Sequence, residues 1–110
     1  MHEWIKEFPA AITVCDTQGI ILEMNDKAAA TFAAEGGKDL IGKNLRDCHK
    51  PESWQKILTM LQTGEPNIYT IEKQGIRKLI YQQPWFQNGT VAGIVEMSLV
   101  LPKELPHYVR

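Results

Sequence analysis

Residues 11–25 read AITVCDTQGIILEMN, and this stretch predicts the first hairpin of the fold. Ala11 to Cys15 and Ile20 to Met24 are short runs rich in Ile, Val and Leu, which favour β-strands. The four residues DTQG at positions 16–19 separate the two runs and have the composition of a tight turn. We therefore expect two antiparallel strands at the start of the chain.

Helical sequence follows this hairpin. Asn25 is suited to cap a helix through Asp26 to Ala33, a segment rich in alanine that the glycines at positions 36 and 37 interrupt. Pro51 opens the clearest helix, which we expect to end at Gly64. Its apolar residues recur at helical spacing and form one face, namely Trp54, Ile57, Leu58 and Leu61.

The last third of the chain predicts an antiparallel meander. Strands over 67–73 and 76–86 are joined at Gln74-Gly75, and Asn88-Gly89 is a strong hairpin signal before the strand Thr90 to Leu101. Pro84 cannot donate a ladder hydrogen bond, so we expect a bulge or an unpaired position there. The last strand is the most apolar, and we place it in the sheet centre. The fold class is therefore α+β, with helices on one face of a single antiparallel sheet.

The bulk composition excludes several classes of protein. The chain has 110 residues, is 44% hydrophobic and carries a net charge of −1, which suits one domain with one core and no basic surface for nucleic acid. No apolar run approaches the roughly 20 residues of a membrane span, and the start lacks a secretion signal. Two cysteines, Cys15 and Cys48, are expected to be free thiols. We expect a cytoplasmic protein that binds neither nucleic acid nor membrane.

Residues 1–8 predict a short amphipathic helix that Pro9 ends. Trp4, Ile5 and Phe8 lie on one side of it. Such a stripe must be buried against the sheet or against a second copy of the chain. We take these three residues as the candidate dimerisation surface.

The ordered motifs resemble those of PAS domains. The hairpin at 16–21 with Met24-Asn25 and the alanine-rich helix looks like the opening of such a domain, the segment 40–45 (LIGKNL) resembles its glycine-containing connector, and 84–94 resembles its closing hairpin. The resemblance covers roughly residues 9–101, which leaves residues 1–8 as an N-terminal helix and 102–110 as a tail. Cys48-His49 and Pro51 also resemble a Cys-His-Pro-Pro segment found in a subgroup, with Lys50 in place of the first proline.

The resemblance implies a fold and a role. The fold is a five-stranded antiparallel sheet of order 2-1-5-4-3 with short helices over its concave face. The role is non-enzymatic sensing of a small molecule, light, redox state or a partner, commonly by a homodimer that regulates a signalling protein. PAS sensors often close their last strand with Asp-Ile-Thr, whereas this chain has Val100-Leu101-Pro102.

Cys48 and His49 are the strongest chemical candidates. A histidine near a pocket can bind a ligand or titrate near neutral pH. Two adjacent side chains chelate one metal poorly, so we expect no metal site. The structural alternative is that His49 bonds a loop backbone and Cys48 packs as a small hydrophobic residue.

Aromatic residues are the second group of candidates. Trp54, Tyr69 and Tyr81 are the ones that we assign to a ligand pocket, the alternative being ordinary core packing. No cofactor is required. The resemblance gives no support to haem, because the long helix lacks histidine, or to a photoactive flavin, because Leu45 stands at the position of the reactive cysteine.

Three functional hypotheses follow. The first is a PAS sensory module that binds a small ligand, dimerises, or does both to regulate a partner. The second is an interaction or dimerisation module whose core is filled by its own side chains. The third is a small enzyme, or a haem or redox sensor, that uses Cys48 and His49.

Overall fold

The computed structural model describes residues 2–47 and 49–110, so the prediction on Cys48 lies outside the described residues. Five strands form one antiparallel sheet in the order β2-β1-β5-β4-β3, which confirms the expected topology. Its apolar last strand lies at the centre, as expected. The strands are β1 (Ala11–Asp16), β2 (Ile21–Met24), β3 (Asn67–Lys73), β4 (Ile76–Gln87) and β5 (Thr90–Leu101).

The described residues form three α-helices. Helix α1 (Glu3–Lys6) precedes β1, and helices α2 (Asp26–Thr31) and α3 (Pro51–Thr63) lie between β2 and β3. Three 3₁₀ turns, Ala33–Glu35, Gly37–Leu40 and Leu45–Asp47, lie between α2 and α3. None of the helices in the described residues is long and apolar enough to cross a membrane.

Two predicted helices are shorter than expected. The N-terminal helix is a single turn rather than residues 1–8, because proline at position 9 disfavours helical backbone at Phe8. The second helix ends at Thr31 rather than Ala33, because a 3₁₀ turn over Ala33–Glu35 follows it, and Gly36 and Gly37 at positive φ then change the chain direction.

The predicted turns are observed. Gly19 has φ of 84°, and the Asp16 carboxylate accepts hydrogen bonds from the backbone N–H groups of Gln18 (2.9 Å) and Ile20 (3.0 Å). Asn88 and Gly89 both have positive φ, 52° and 79°, as a two-residue hairpin turn with φ > 0 at both centres requires. Both turns therefore lie where the sequence predicts them.

The β4–β5 ladder shifts register between Trp85 and Phe86, one residue after the proline at which a bulge was expected. There the Trp85 indole Nε1 donates to the Cys15 carbonyl at 3.1 Å, crossing Gly93 of the intervening strand. A Cβ at Gly93 would collide with this carbonyl and with the indole, so only glycine fits. The bulge therefore ties β4 to β1 across the central strand.

Asn25 holds the N-terminal segment to the fold. This fully buried side chain accepts from the N–H groups of Ile12 (2.9 Å) and Ala28 (3.0 Å), the latter being the predicted helix cap. Its amide donates to the carbonyls of Ile5 (3.1 Å) and Ala10 (2.7 Å), with a longer contact to Phe8 (3.4 Å). One side chain thus links α1, β1 and α2.

The core lies between the sheet and the helices. One buried cluster joins Ala11, Ile21, Met24, Ala28 and Leu40, and the other joins Cys15, Ile57, Met60 and Ile94. Successive side chains of a strand point to opposite faces. The face that carries these clusters is called the inner face below, and the opposite one the outer face.

Candidate functional site

A cavity of about 220 Å³ lies between the inner face and the helices. From the sheet, its apolar wall is formed by Cys15, Ile21, Met24 and Ile94. From the helices and connectors, it is formed by Phe32, Leu40, Leu45, Ile57 and Met60. Polar groups enter this wall at only a few places, which is the usual composition of a small-molecule pocket.

The polar groups of the sheet wall form one row. Asn67, Gln82, Glu96 and Thr13 are cross-strand partners in register on β3, β4, β5 and β1. The Gln82 amide donates to the Glu96 carboxylate at 2.7 Å, and the Asn67 amide donates to the Gln82 carbonyl oxygen at 2.9 Å. All members of this row except Asn67 line the cavity. A chain of hydrogen bonds therefore fixes the position of a carboxylate in an apolar pocket.

Glu96 sets the charge of the site. An ionised carboxylate has about four acceptor positions, and among the described side chains only Gln82 donates to it. The pKa of the Tyr69 phenol is raised above 10.0, mainly by burial and in addition by repulsion from the negative charge of Glu96. A second carboxylate, Glu35, lines the cavity at an exposed position. No lysine or arginine is found among the lining residues in the described part of the chain.

Among the predicted ligand-binding residues that the structure describes, His49 is the one that lines the cavity. It is exposed and lies at the cavity margin, with its Nδ1 2.9 Å from the Leu45 carbonyl oxygen. Because a carbonyl can only accept, the ring donates this bond. The hydrogen bond from His49 to a loop backbone, which was the structural alternative for this residue, is thus present. It uses Nδ1 and not the other ring nitrogen, Nε2.

The three aromatic candidates lie elsewhere. Trp54 is half-buried and packs against the cluster around Cys15 and Ile57. Tyr69 lies on the inner face opposite Ile80, and Tyr81 lies on the outer face between Ile68 and Met97. None of the three lines the cavity. Their roles as ligand-binding residues stay predictions, and the structure does not bring them together.

Sequence reasoning did not single out Glu96, Gln82 or Thr13. A signal was nevertheless present, because Glu96 is the one charged residue in the apolar strand Thr90–Leu101. A lone charge in a central strand has to reach an edge, a partner or a cavity. Which of these applies depends on the register with β4, which the sequence alone did not supply.

The candidate dimerisation residues are partly open to solvent. Trp4 is 66% exposed and Phe8 is 38% exposed, and their rings contact edge to face at 6.1 Å between centroids. Ile5 is half-buried, and its carbonyl is bonded by Asn25. Lys6 anchors the same segment through Asp26 at 2.9 Å. The aromatic stripe is therefore held in place at the surface.

The described residues contain no group of His, Cys, Asp and Glu that would hold a metal ion.

The family model for the PAS fold matches residues 5–66, more than half of the chain. The chain belongs to the PAS family. Its sheet order and its short helices over one face agree with that assignment.

Solved structures, two of them described as PAS proteins, share the fold at low sequence identity. The Aer2 receptor from Vibrio cholerae, described as a dual PAS-heme oxygen sensor, matches 84% of this chain and 95% of its own with a TM-score of 0.65 and 16% identity. The PAS domain of the histidine kinase ThkA matches 82% and 97% with a TM-score of 0.65 and 22% identity. VqmA bound to DPO matches 89% of this chain and 55% of its own, with a TM-score of 0.67 and 17% identity.

The first of these neighbours is described as an oxygen sensor, and the second is the PAS domain of a histidine kinase. At these identities they show the fold alone. No curated protein sequence matches the chain.

Proposed function

We propose that the chain is a non-enzymatic PAS sensory module that binds a small, largely apolar ligand in its cavity and thereby regulates a signalling partner. The cavity carries this proposal. Protein interiors contain few voids larger than a water molecule, and unfilled volume destabilises by roughly 24 cal/mol per Å³. A ligand that fills the space would recover this packing.

The ligand would act through the elements that surround the cavity. Ile57 and Met60 of α3 line it together with Cys15 and Ile94 of the sheet, with which they form one buried cluster. A ligand shifts a conformational equilibrium only by its differential affinity for the two states. Binding would therefore favour the arrangement of α3 in which these side chains contact the ligand. We place this module in the cytoplasm and treat the chain as one domain.

Native mass spectrometry of protein purified without added cofactor tests this proposal. We expect an additional mass of a few hundred daltons or less, and a rise in melting temperature with small apolar compounds. Ile94→Phe should fill the cavity and abolish both signals. Val95→Phe makes a similar change at the next residue, on the outer face, and should keep them. Equal responses of the two variants would place binding outside the cavity.

Dimerisation is a second candidate function, favoured by the exposed stripe of Trp4 and Phe8. We expect light scattering at micromolar concentration to give a dimer mass, and Trp4→Ala with Phe8→Ala to reduce it to a monomer. Tyr108→Ala, which removes an equally exposed aromatic from the tail, is the matched control. A wild-type monomer would contradict this candidate without affecting the cavity.

A further inference from the structure

The inner face contains a carboxylate that the fold itself leaves with spare acceptor capacity. Glu96 lies in register between Thr13 and Gln82 at the cavity wall, and the amide of Gln82 holds it at 2.7 Å. We propose that the ligand is an apolar amine, whose protonated nitrogen binds Glu96 while its hydrocarbon part fills the cavity. This inference deepens the proposed function and rests on it.

The charges around the cavity select a cation. Glu96 and Glu35 both line it, and among the described lining residues there is no lysine or arginine. The basic side chain in that set is His49, which lies at the exposed margin with its Nδ1 bonded to the Leu45 carbonyl. The interaction between unit charges strengthens as water is excluded, and a buried charge is tolerated when it is paired. An ammonium group at Glu96 would meet this condition. A carboxylate or phosphate ligand would instead be repelled by both glutamates.

The neighbours of Glu96 define where the nitrogen binds. Gln82 is itself held by the Asn67 amide at 2.9 Å, so its own amide nitrogen stays directed at the carboxylate. The Thr13 hydroxyl, on the opposite side of Glu96 in the row, is a further acceptor for an ammonium hydrogen. This row has no charged donor for an anionic oxygen.

The volume limits the rest of the ligand. An engineered apolar cavity of about 150 Å³ accommodates benzene, so 220 Å³ suits a compound of about ten non-hydrogen atoms. Ile94 and Cys15 of the sheet and Ile57 and Met60 of α3 surround this space. The polar end thus lies at the sheet row and the apolar body lies against α3.

Three probes with one phenylethyl group test the inference: 2-phenylethylamine, 2-phenylethanol and 3-phenylpropionate. Calorimetry on the full chain should show the amine binding at least tenfold tighter than the alcohol, and no binding of the carboxylate. Glu96→Gln should remove the tenfold preference for the amine over the alcohol. Glu72→Gln, the same change on the outer face of the sheet, should leave that preference unchanged.

The outcomes separate the two proposals. Equal affinities of amine and alcohol in the wild-type protein would overturn the amine inference and keep the ligand cavity. Tighter binding of the carboxylate than of the amine would also overturn the amine inference and keep the ligand cavity. An unchanged preference for the amine in the Glu96→Gln variant would have the same consequence. Binding of none of the three probes would contradict the cavity as a ligand site, and the inference with it. The affinities of the wild-type protein for the three probes test the amine inference even if Glu96→Gln fails to fold.

Discussion

Asn25 and Glu96 are both polar side chains of the protein interior, but their hydrogen bonding differs. Asn25 is fully buried, and backbone groups of three elements satisfy both its amide nitrogen and its oxygen. Glu96 receives one described side-chain hydrogen bond and faces a cavity. A polar group that the chain saturates by itself stabilises the fold, whereas one left with free acceptors is available to a ligand.

The largest effect should come from Asn25→Ala. This change leaves the N–H groups of Ile12 and Ala28 and the carbonyl of Ala10 without their partner in a buried site. We expect the free energy of unfolding to fall by about 3–4 kcal/mol, measured by urea denaturation.

Asn44→Ala is the matched control for that experiment. The Asn44 side chain bonds the Gln18 carbonyl and the Arg46 N–H near the surface, so its loss should cost about 1 kcal/mol or less. Similar losses for the two variants would show that burial does not distinguish these asparagines.

Glu96→Gln should have a much smaller effect on the ligand-free protein. The amide keeps the shape of the side chain and an oxygen that can accept from Gln82, and it removes a charge from a half-buried position. We expect the free energy of unfolding to change by less than about 1 kcal/mol in the same urea assay. A loss comparable to that of Asn25→Ala would make Glu96 structural and remove the contrast between the two residues.

Cys15 should be unreactive although it lines the cavity. Burial raises the pKa of its thiol above 9.0, and the thiolate is the reactive form. In a Cys48→Ser background, iodoacetamide should label Cys15 at least tenfold more slowly in folded than in urea-unfolded protein at pH 8. Equal rates would show that the cavity is open to solvent at this wall.

The same shift predicts an alkaline effect on stability. The pKa of Cys15 is higher in the folded than in the unfolded protein. The stability that this thiol contributes is therefore fully present below pH 9.0 and is lost as the pH rises through the folded-state pKa. Unfolding of Cys15→Ala should therefore depend less on pH in this range than unfolding of the wild-type protein. An identical pH dependence would contradict the shift.

The smallest effect should come from Asp26→Asn. Hydrogen bonding by Lys6 lowers the pKa of Asp26 below 3.8, so the contact is present above that pH and is lost as the pH falls through the lowered value. Because the pair is exposed, global unfolding should hardly change. Amide exchange confined to α1 should become faster near neutral pH, and unchanged exchange there would show that Asn25 alone holds the segment.

The sequence predicted the fold more fully than the site. The turns at Gly19 and Asn88-Gly89 and the cap at Asn25 are local signals, so the strands, their order and the capped helix could be predicted from them and from the family resemblance. The row of Thr13, Glu96 and Gln82 depends on the pairing of β5 with β1, which is distant in the chain, and on the register shift in the β4–β5 ladder. Aromatic residues were expected to line the pocket, yet Tyr81 faces outward because alternation along β4 places it there.

The central claim is that the inner face, rather than the outer one, binds a ligand. Methyl NMR of the full chain titrated with 2-phenylethylamine tests it most directly. We predict shifts of the methyl signals of Ile57, Met60 and Ile94, which line the cavity, and unchanged signals from Ile68 and Met97 on the outer face. Absent shifts, or shifts on the outer face alone, would contradict this account of the protein.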